Sequence, residues 1–102
     1  MIDVVAIITA KPGQREKIIE VARANLAAVR AEQGCIEYRL AIDADGFKFQ
    51  TPVGPDTFLV IEKWADDDAL KAHAVAPHMA TYSAKIKDLV AGRVIHVLRS
   101  AE

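Results

Sequence analysis

A glutamate, a tryptophan and two histidines lie close together in the second half of this chain. They fall in Phe58-Leu59-Val60-Ile61-Glu62-Lys63-Trp64, then Leu70-Lys71-Ala72-His73, then Pro77-His78-Met79. If the first run is a strand, its period of two puts Phe58, Val60, Glu62 and Trp64 on one face. A carboxylate among large apolar side chains is costly to ionise without a partner, so its pKa should rise. Such a group beside an indole is suited to take a proton from a phenol. A purely structural role is open to the same residue, as the partner of Arg39 or Arg93 near a sheet edge.

His73 follows Leu70 by one helical turn, so both share a face that should look toward the sheet. His78 borders the stripe Met79, Tyr82, Ile86 and Leu89. The two imidazoles stand about 140° apart around an ideal helix, a poor arrangement for a shared metal ion. As acid–base groups they suit neutral pH, although either could equally be a surface or hydrogen-bonded core histidine. Tyr38 and Tyr82 carry hydroxyls that need partners if buried, and either could touch a substrate. Phe58 and Met79 would supply apolar wall beside them, unless that stripe is simply core. His96 reads as structural, and Cys35, with no neighbouring cation, as a small buried residue rather than a nucleophile.

No dinucleotide-binding glycine pattern, phosphate loop, nucleophile elbow or zinc-protease helix occurs in the chain. Asp43, Asp45 and Gly46 resemble a calcium loop only faintly, because the closing glutamate is missing. The site residues thus imply neither a metal nor an organic cofactor.

What positions them follows from the hydrophobic pattern. Ile2 to Ala10 is β-branched and apolar on both alternating faces, with Val4, Ala6 and Ile8 opposed to Val5 and Ile7. That pattern belongs to a strand covered on two sides. Arg15 to Gln33 has helical period through Ile18, Ala22, Leu26 (or Asn25) and Val29, and Gly34 ends it. Cys35 to Ile42 alternates, with Ile36, Tyr38, Leu40 and Ile42 facing one way. A turn-rich stretch follows, in which Phe47 to Gln50 could form a short strand. Thr57 to Trp64 is a strand, and Asp66-Asp67-Asp68 marks a helix start.

Pro77 cannot continue a helix from upstream, so a short helix to about Val75 should precede a longer one reaching Val90. Arg93 to Arg99 closes the chain as a strand. The order is β-α-β-β-α-β, a ferredoxin-like α+β domain spanning residues 1–102 with helices on one sheet face. Because the strands are apolar on both faces, a second copy should cover the open one, making a homodimer.

The bulk numbers agree with a folded domain. Of 102 residues, 52% are hydrophobic and 26% charged, the balance of a globular chain. Thirteen basic and fourteen acidic side chains give a net charge of -1 without a cationic cluster, which argues against nucleic acid. A single cysteine cannot make an internal disulfide. The run Val4 to Ala10 is too short to span a bilayer, and Asp3 stands where a signal peptide would carry a cation. A cytoplasmic location is the expectation.

Taken with Lys11-Pro12-Gly13-Gln14, Glu32-Gln33-Gly34-Cys35 and Pro55-Asp56, the Glu62-x-Trp64…His73…Pro77-His78 spacing resembles the antibiotic biosynthesis monooxygenase superfamily. Within it, the chain is similar to the small bacterial quinol monooxygenases over nearly its whole length. The resemblance implies a dimeric ferredoxin-like fold with its pocket between sheet and helices. It also implies oxygenation of a quinol or polyphenol by O₂ without metal, flavin or haem. Glu62, Trp64, His73 and His78 would be the catalytic set, and Tyr38, Phe58, Met79 and Tyr82 would line the substrate. Relatives that degrade haem use an asparagine on the first strand, and Ile2 to Ala10 contains none. Isomerisation of a small carbonyl compound and non-catalytic ligand binding are the alternatives on the same scaffold.

Overall fold

The computed structural model describes residues 1–102. Its elements are β1 (Ile2–Ala10), α1 (Arg15–Arg30), β2 (Cys35–Ala41), β3 (Thr57–Trp64), α2 (Asp67–Ala74), α3 (Pro77–Ile86) and β4 (Val90–Leu98). The strands form one antiparallel sheet in the order β2-β3-β1-β4. This is the ferredoxin-like arrangement, with the second helical region split in two. Registry pairs Val4 with Glu62, Ala6 with Val60 and Tyr38 with Glu62, so these side chains share the helix-facing side. On that side Ile2, Val4, Ala6, Tyr38, Phe58, Val60, Glu62 and Trp64 are all buried, as the alternation requires. Ile18, Ile19, Ala22 and Val29 of α1 close over them.

On the other side Val5, Ile7, Leu59 and Ile61 are half-buried. Their neighbours on β4, Val94 and Leu98, are exposed. The inward positions of β4 are no better covered, because Ile95 and Val97 are also exposed.

Local chemistry moves several boundaries from where periodicity puts them. Helix α1 ends at Arg30 rather than Gln33, since the Glu32 N–H turns back to the Val29 carbonyl at 3.0 Å and tightens the chain. Gly34 then takes φ +83°, and a Cβ there would stand 2.6 Å from Cβ of Ala69. Only glycine allows this turn to lie against α2. A register shift between Cys35 and Glu37 throws Ile36 into solvent, although strict alternation would bury it beside Tyr38. Ile42 lies beyond the end of β2 and is exposed as well.

Phe47 to Gln50 is a turn, not a strand, closed by the Gln50 N–H on the Phe47 carbonyl at 3.1 Å. The loop is drawn in by Asp43, whose carboxylate accepts the N–H groups of Val53 and Gly54 at 2.9 and 3.0 Å. These bonds hold its pKa below the usual carboxylate value. Asp43 therefore braces a loop. Helix α3 stops at Ile86, short of Val90, where the Leu89 N–H turns back to the Ile86 carbonyl at 2.8 Å and the Lys11 N–H takes the Leu89 carbonyl at 2.8 Å. Val90 then pairs with Ala10, so β4 begins earlier than Arg93.

The break at Pro77 falls where expected, with proline in the first turn of α3. Upstream, the Asp66 carboxylate accepts the Ala69 N–H at 2.8 Å and starts α2. Replacing that cap, Asp66→Ala, should cost about 1 kcal/mol, read as a lower urea midpoint with an unchanged slope.

Candidate functional site

Four segments converge on one buried imidazole. Strand β3 directs Glu62 and Trp64 under the helices, and α2 lowers His73 onto them. The Trp64 indole N–H donates to Glu62 Oε1 at 3.0 Å. The His73 ring lies on the indole with centroids 4.6 Å apart, and Tyr38 meets it edge-on at 5.5 Å. Nε2 of His73 is 3.9 Å from Glu62 Oε1, close enough for charge attraction though beyond a hydrogen bond. Glu62 thus pairs with neither arginine. Arg39 sits opposite Ile61 on the far face and bonds Glu37 at 3.1 Å, while Arg93 lies across from Ile8.

The fourth segment is the turn after α1, which supplies Glu32. Its Oε2 is 2.7 Å from His73 Nδ1 and 3.3 Å from His78 Nε2. One carboxylate oxygen therefore faces both imidazoles. The split at Pro77 makes this possible, because it turns His78 away from the arc that a continuous helix would impose. His78 Nδ1 takes a contact of 3.3 Å from the amide nitrogen of Asn25, which also reaches Met79 Sδ at 3.5 Å. Although close to Glu32, the buried His78 Nε2 has no well-aligned hydrogen bond. Glu32 and Asn25 escaped the sequence reading. Their signals were the motif Glu32-Gln33-Gly34-Cys35, which carried part of the resemblance without a role for its carboxylate, and an amide interrupting an apolar helical stripe.

Burial pushes the Glu62 carboxyl above its ordinary pKa, opposed by the Trp64 hydrogen bond and by His73. Tyr38 is pushed far up, first by burial and then by the negative charge of Glu62. Burial alone takes Tyr82 up to about 12. Both phenols therefore keep their protons at neutral pH. Burial, then Glu32 and Glu62, raises the Cys35 thiol, so it is no ready nucleophile. No group of three His, Cys, Asp or Glu residues is placed to share a metal ion.

The open cavity lies one layer further out than the position of Trp64 suggested. Trp64 and Phe58 have no exposed surface and are core. A cleft of about 610 Å³ instead separates α1 from α3, walled by Val21, Ala24, Asn25, His78, Tyr82 and Leu89. Lys17, Glu20, Thr81 and Lys85 complete its lining. Of the anticipated residues, His78 and Tyr82 reach this cleft, and Met79 packs against the core close by. Glu62, Trp64, His73 and Tyr38 form a buried array behind it.

Residues 1–85 match the family model for antibiotic biosynthesis monooxygenase. The chain belongs to that family. It is 34% identical over 102 residues to the Escherichia coli (strain K12) protein named "Probable quinol monooxygenase YgiN", covering 97% of each chain. The crystal structure of PA3566 from Pseudomonas aeruginosa superposes with a TM-score of 0.81 at 32% identity, over 99% of this chain and 94% of that one. Rv0793 from Mycobacterium tuberculosis gives 0.80 at 25% identity, over 99% and 95%. The family fold is thus present along essentially the whole chain. No helix is long and apolar enough to cross a membrane.

A raised carboxyl pKa has a definite sign in stability. Ionised Glu62 is less welcome in the folded than in the unfolded chain. Its share of stability is therefore present at acid pH and lost as pH rises through the folded-state value. Glu62→Gln keeps an oxygen for the Trp64 N–H and removes the ionisation. Thermal unfolding should give the variant the higher Tm at pH 8, and the gap should narrow toward pH 4.

Proposed function

We propose that this protein is a monooxygenase that needs no metal or organic cofactor and oxidises a quinol or polyphenol with O₂. The observation that carries the reading is the cleft between α1 and α3, with an imidazole and a phenol in its wall and a polar array behind. Its volume suits a one- or two-ring aromatic. Family membership and likeness to a protein named for quinol oxygenation support the same conclusion.

The chemistry asks little of the protein beyond a base and a chamber. Ground-state O₂ is a triplet and reacts slowly with closed-shell molecules, whereas a quinol anion can pass it one electron. Recombination forms a C–O bond at the ring. The O–O bond then breaks, one oxygen stays on the ring and the other leaves as water. The quinol supplies all four electrons and ends as a hydroxyquinone. His78, the one histidine in the cleft wall, is the group assigned to take the phenolic proton. Tyr82, protonated through the neutral range, donates to the bound oxygens. Glu62, Trp64 and His73 form the fixed buried end of the site.

Metal-stripped protein should consume O₂ with simple hydroquinones or naphthohydroquinones faster than their autoxidation, and His78→Gln should slow this about a hundredfold. Uptake no faster than the blank across that series would reject the activity.

The working form is proposed to be a homodimer. Val5, Ile7, Leu59 and Ile61, with Val94 and Leu98 beside them, make the aliphatic part of a sheet face, bordered by Asp3, Lys63, Arg39 and His96, that a second copy would cover. Sedimentation equilibrium at micromolar concentration should give about twice the chain mass. A monomer would overturn this assignment without touching the oxygenation assay.

A further inference from the structure

We infer that Glu32 is the positioning residue of the site, the carboxylate that fixes the tautomers of both histidines and makes His78 a base. This rests on the monooxygenase reading for its catalytic half and on geometry alone for its structural half.

The geometry permits one consistent assignment of protons. The contact of 2.7 Å between His73 Nδ1 and Glu32 Oε2 requires a proton on Nδ1, since the carboxylate can only accept. In the neutral ring this leaves the lone pair on Nε2, the atom that faces Glu62 at 3.9 Å. For His78 the pattern is inverted. The Asn25 amide N–H points to Nδ1 at 3.3 Å, so Nδ1 accepts and the ring proton sits on Nε2. That N–H lies 3.3 Å from the same oxygen of Glu32, poorly aligned in the resting protein. Glu32 thus holds His73 tightly and His78 loosely.

A loose contact has a use once the cleft is filled. When a substrate hydroxyl hands its proton to Nδ1 of His78, the long Asn25 contact gives way. The imidazole becomes a cation, and its Nε2–H can then strengthen its bond to the waiting carboxylate. No atom is consumed. One proton moves from the phenol oxygen to Nδ1, and the resulting positive charge is stabilised by Glu32. This is the logic of a base oriented by a third group. His73 contributes by keeping Glu32 in place, itself wedged between Trp64 and Tyr38. The other titratable groups bordering the array are Glu62 on β3, Cys35 and Tyr38 on β2, Arg30 at the end of α1 and Tyr82 on α3, with Lys17, Glu20 and Lys85 in the cleft wall. None of them bonds either nitrogen of His78.

Glu32 is well placed to be replaced without collapse, because its side chain retains 17% exposure and caps no helix. The substrate-free protein is examined first, by nitrogen-resolved NMR of the histidine rings in the wild type, Glu32→Gln and Glu32→Ala. The wild type should show His73 protonated on Nδ1, with a slowly exchanging, strongly downfield imidazole proton, and His78 protonated on Nε2. Glu32→Ala should lose the downfield proton and leave both rings in mixed tautomers. Glu32→Gln should keep the His73 tautomer but move its proton upfield, because the accepting charge is gone. Ring spectra unchanged in both variants would overturn the inference, whatever the enzyme does.

Kinetics with a hydroquinone supply the second arm. Glu32→Gln should lower kcat at least about tenfold with KM within about twofold, and Glu32→Asp should recover part of the loss. A KM effect alone, or a Glu32→Asp variant as poor as Glu32→Ala, would mark a merely structural role. Should Glu32→Gln fail to fold, Glu32→Asp carries both arms, since its shorter side chain must weaken the downfield proton signal. A wild type inactive on every quinol would reject the oxygenase reading, while the ring spectra would still decide what Glu32 holds.

Discussion

One oxygen atom, Oε2 of Glu32, faces imidazoles from two helices that share no backbone hydrogen bond across the break at Pro77. The sheet has its own ladder, and α1 has an apolar stripe that settles it on that sheet. Helices α2 and α3 have much less. Each is short, and His73 and Ile86 are their only buried side chains. Isolated helices of that length are marginal in water, so their placement must come from tertiary contacts. A hydrogen bond from the turn after α1 to His73 of α2, with His78 of α3 in close approach to the same oxygen, supplies a specific one beside the apolar contacts of Leu70, Met79 and Tyr82. Gly34 lets that turn come close enough, because nothing larger fits against Ala69.

The same cluster carries a cost. Glu32 and Glu62 flank one buried ring, and the charge of Glu32 makes the ionisation of Glu62 harder still. A fully aliphatic layer between sheet and helices would be the more stable arrangement. The chain places polar atoms there and satisfies them with each other, Trp64 with Glu62 and His73 with Glu32. Phe58, Ile18 and Val29, fully buried, carry the apolar part of the layer. Sites that hold reactive groups in low dielectric commonly give up stability in this way.

Much of this was legible in the sequence because strands and prolines obey short-range rules. Period two placed Phe58, Val60, Glu62 and Trp64 on one buried face, and the missing N–H of Pro77 divided the helical region. The central association of Glu62, Trp64 and His73 followed from those facts. What was not legible depended on contacts distant in sequence. Glu32 lies past the end of α1, where helical period no longer says which way a side chain points. Its partners are some forty residues away. The ends of α1 and α3 moved because the chain tightens there into three-residue backbone bonds, Glu32 to Val29 and Leu89 to Ile86, and β1's end then takes the Leu89 carbonyl through Lys11. The Phe47 to Gln50 segment has aromatic residues suited to a strand, yet its backbone closes on itself, from Gln50 to Phe47, and joins no strand. Trp64 faced the helices as expected, but its neighbours left no space around it, and the cleft opened between the helices instead.

Trp64 is the only tryptophan of the chain. Its ring is wholly screened from solvent, its N–H is held by Glu62, and its face lies against His73. An excited indole gives up an electron readily to a protonated imidazole in contact with it and much less to a neutral one. With excitation beyond the absorption of Tyr38 and Tyr82, the native emission of this protein therefore comes from a single fluorophore, sealed against dissolved quenchers, whose brightness follows the charge on one histidine. The buried end of the array thus carries its own optical readout, without any label.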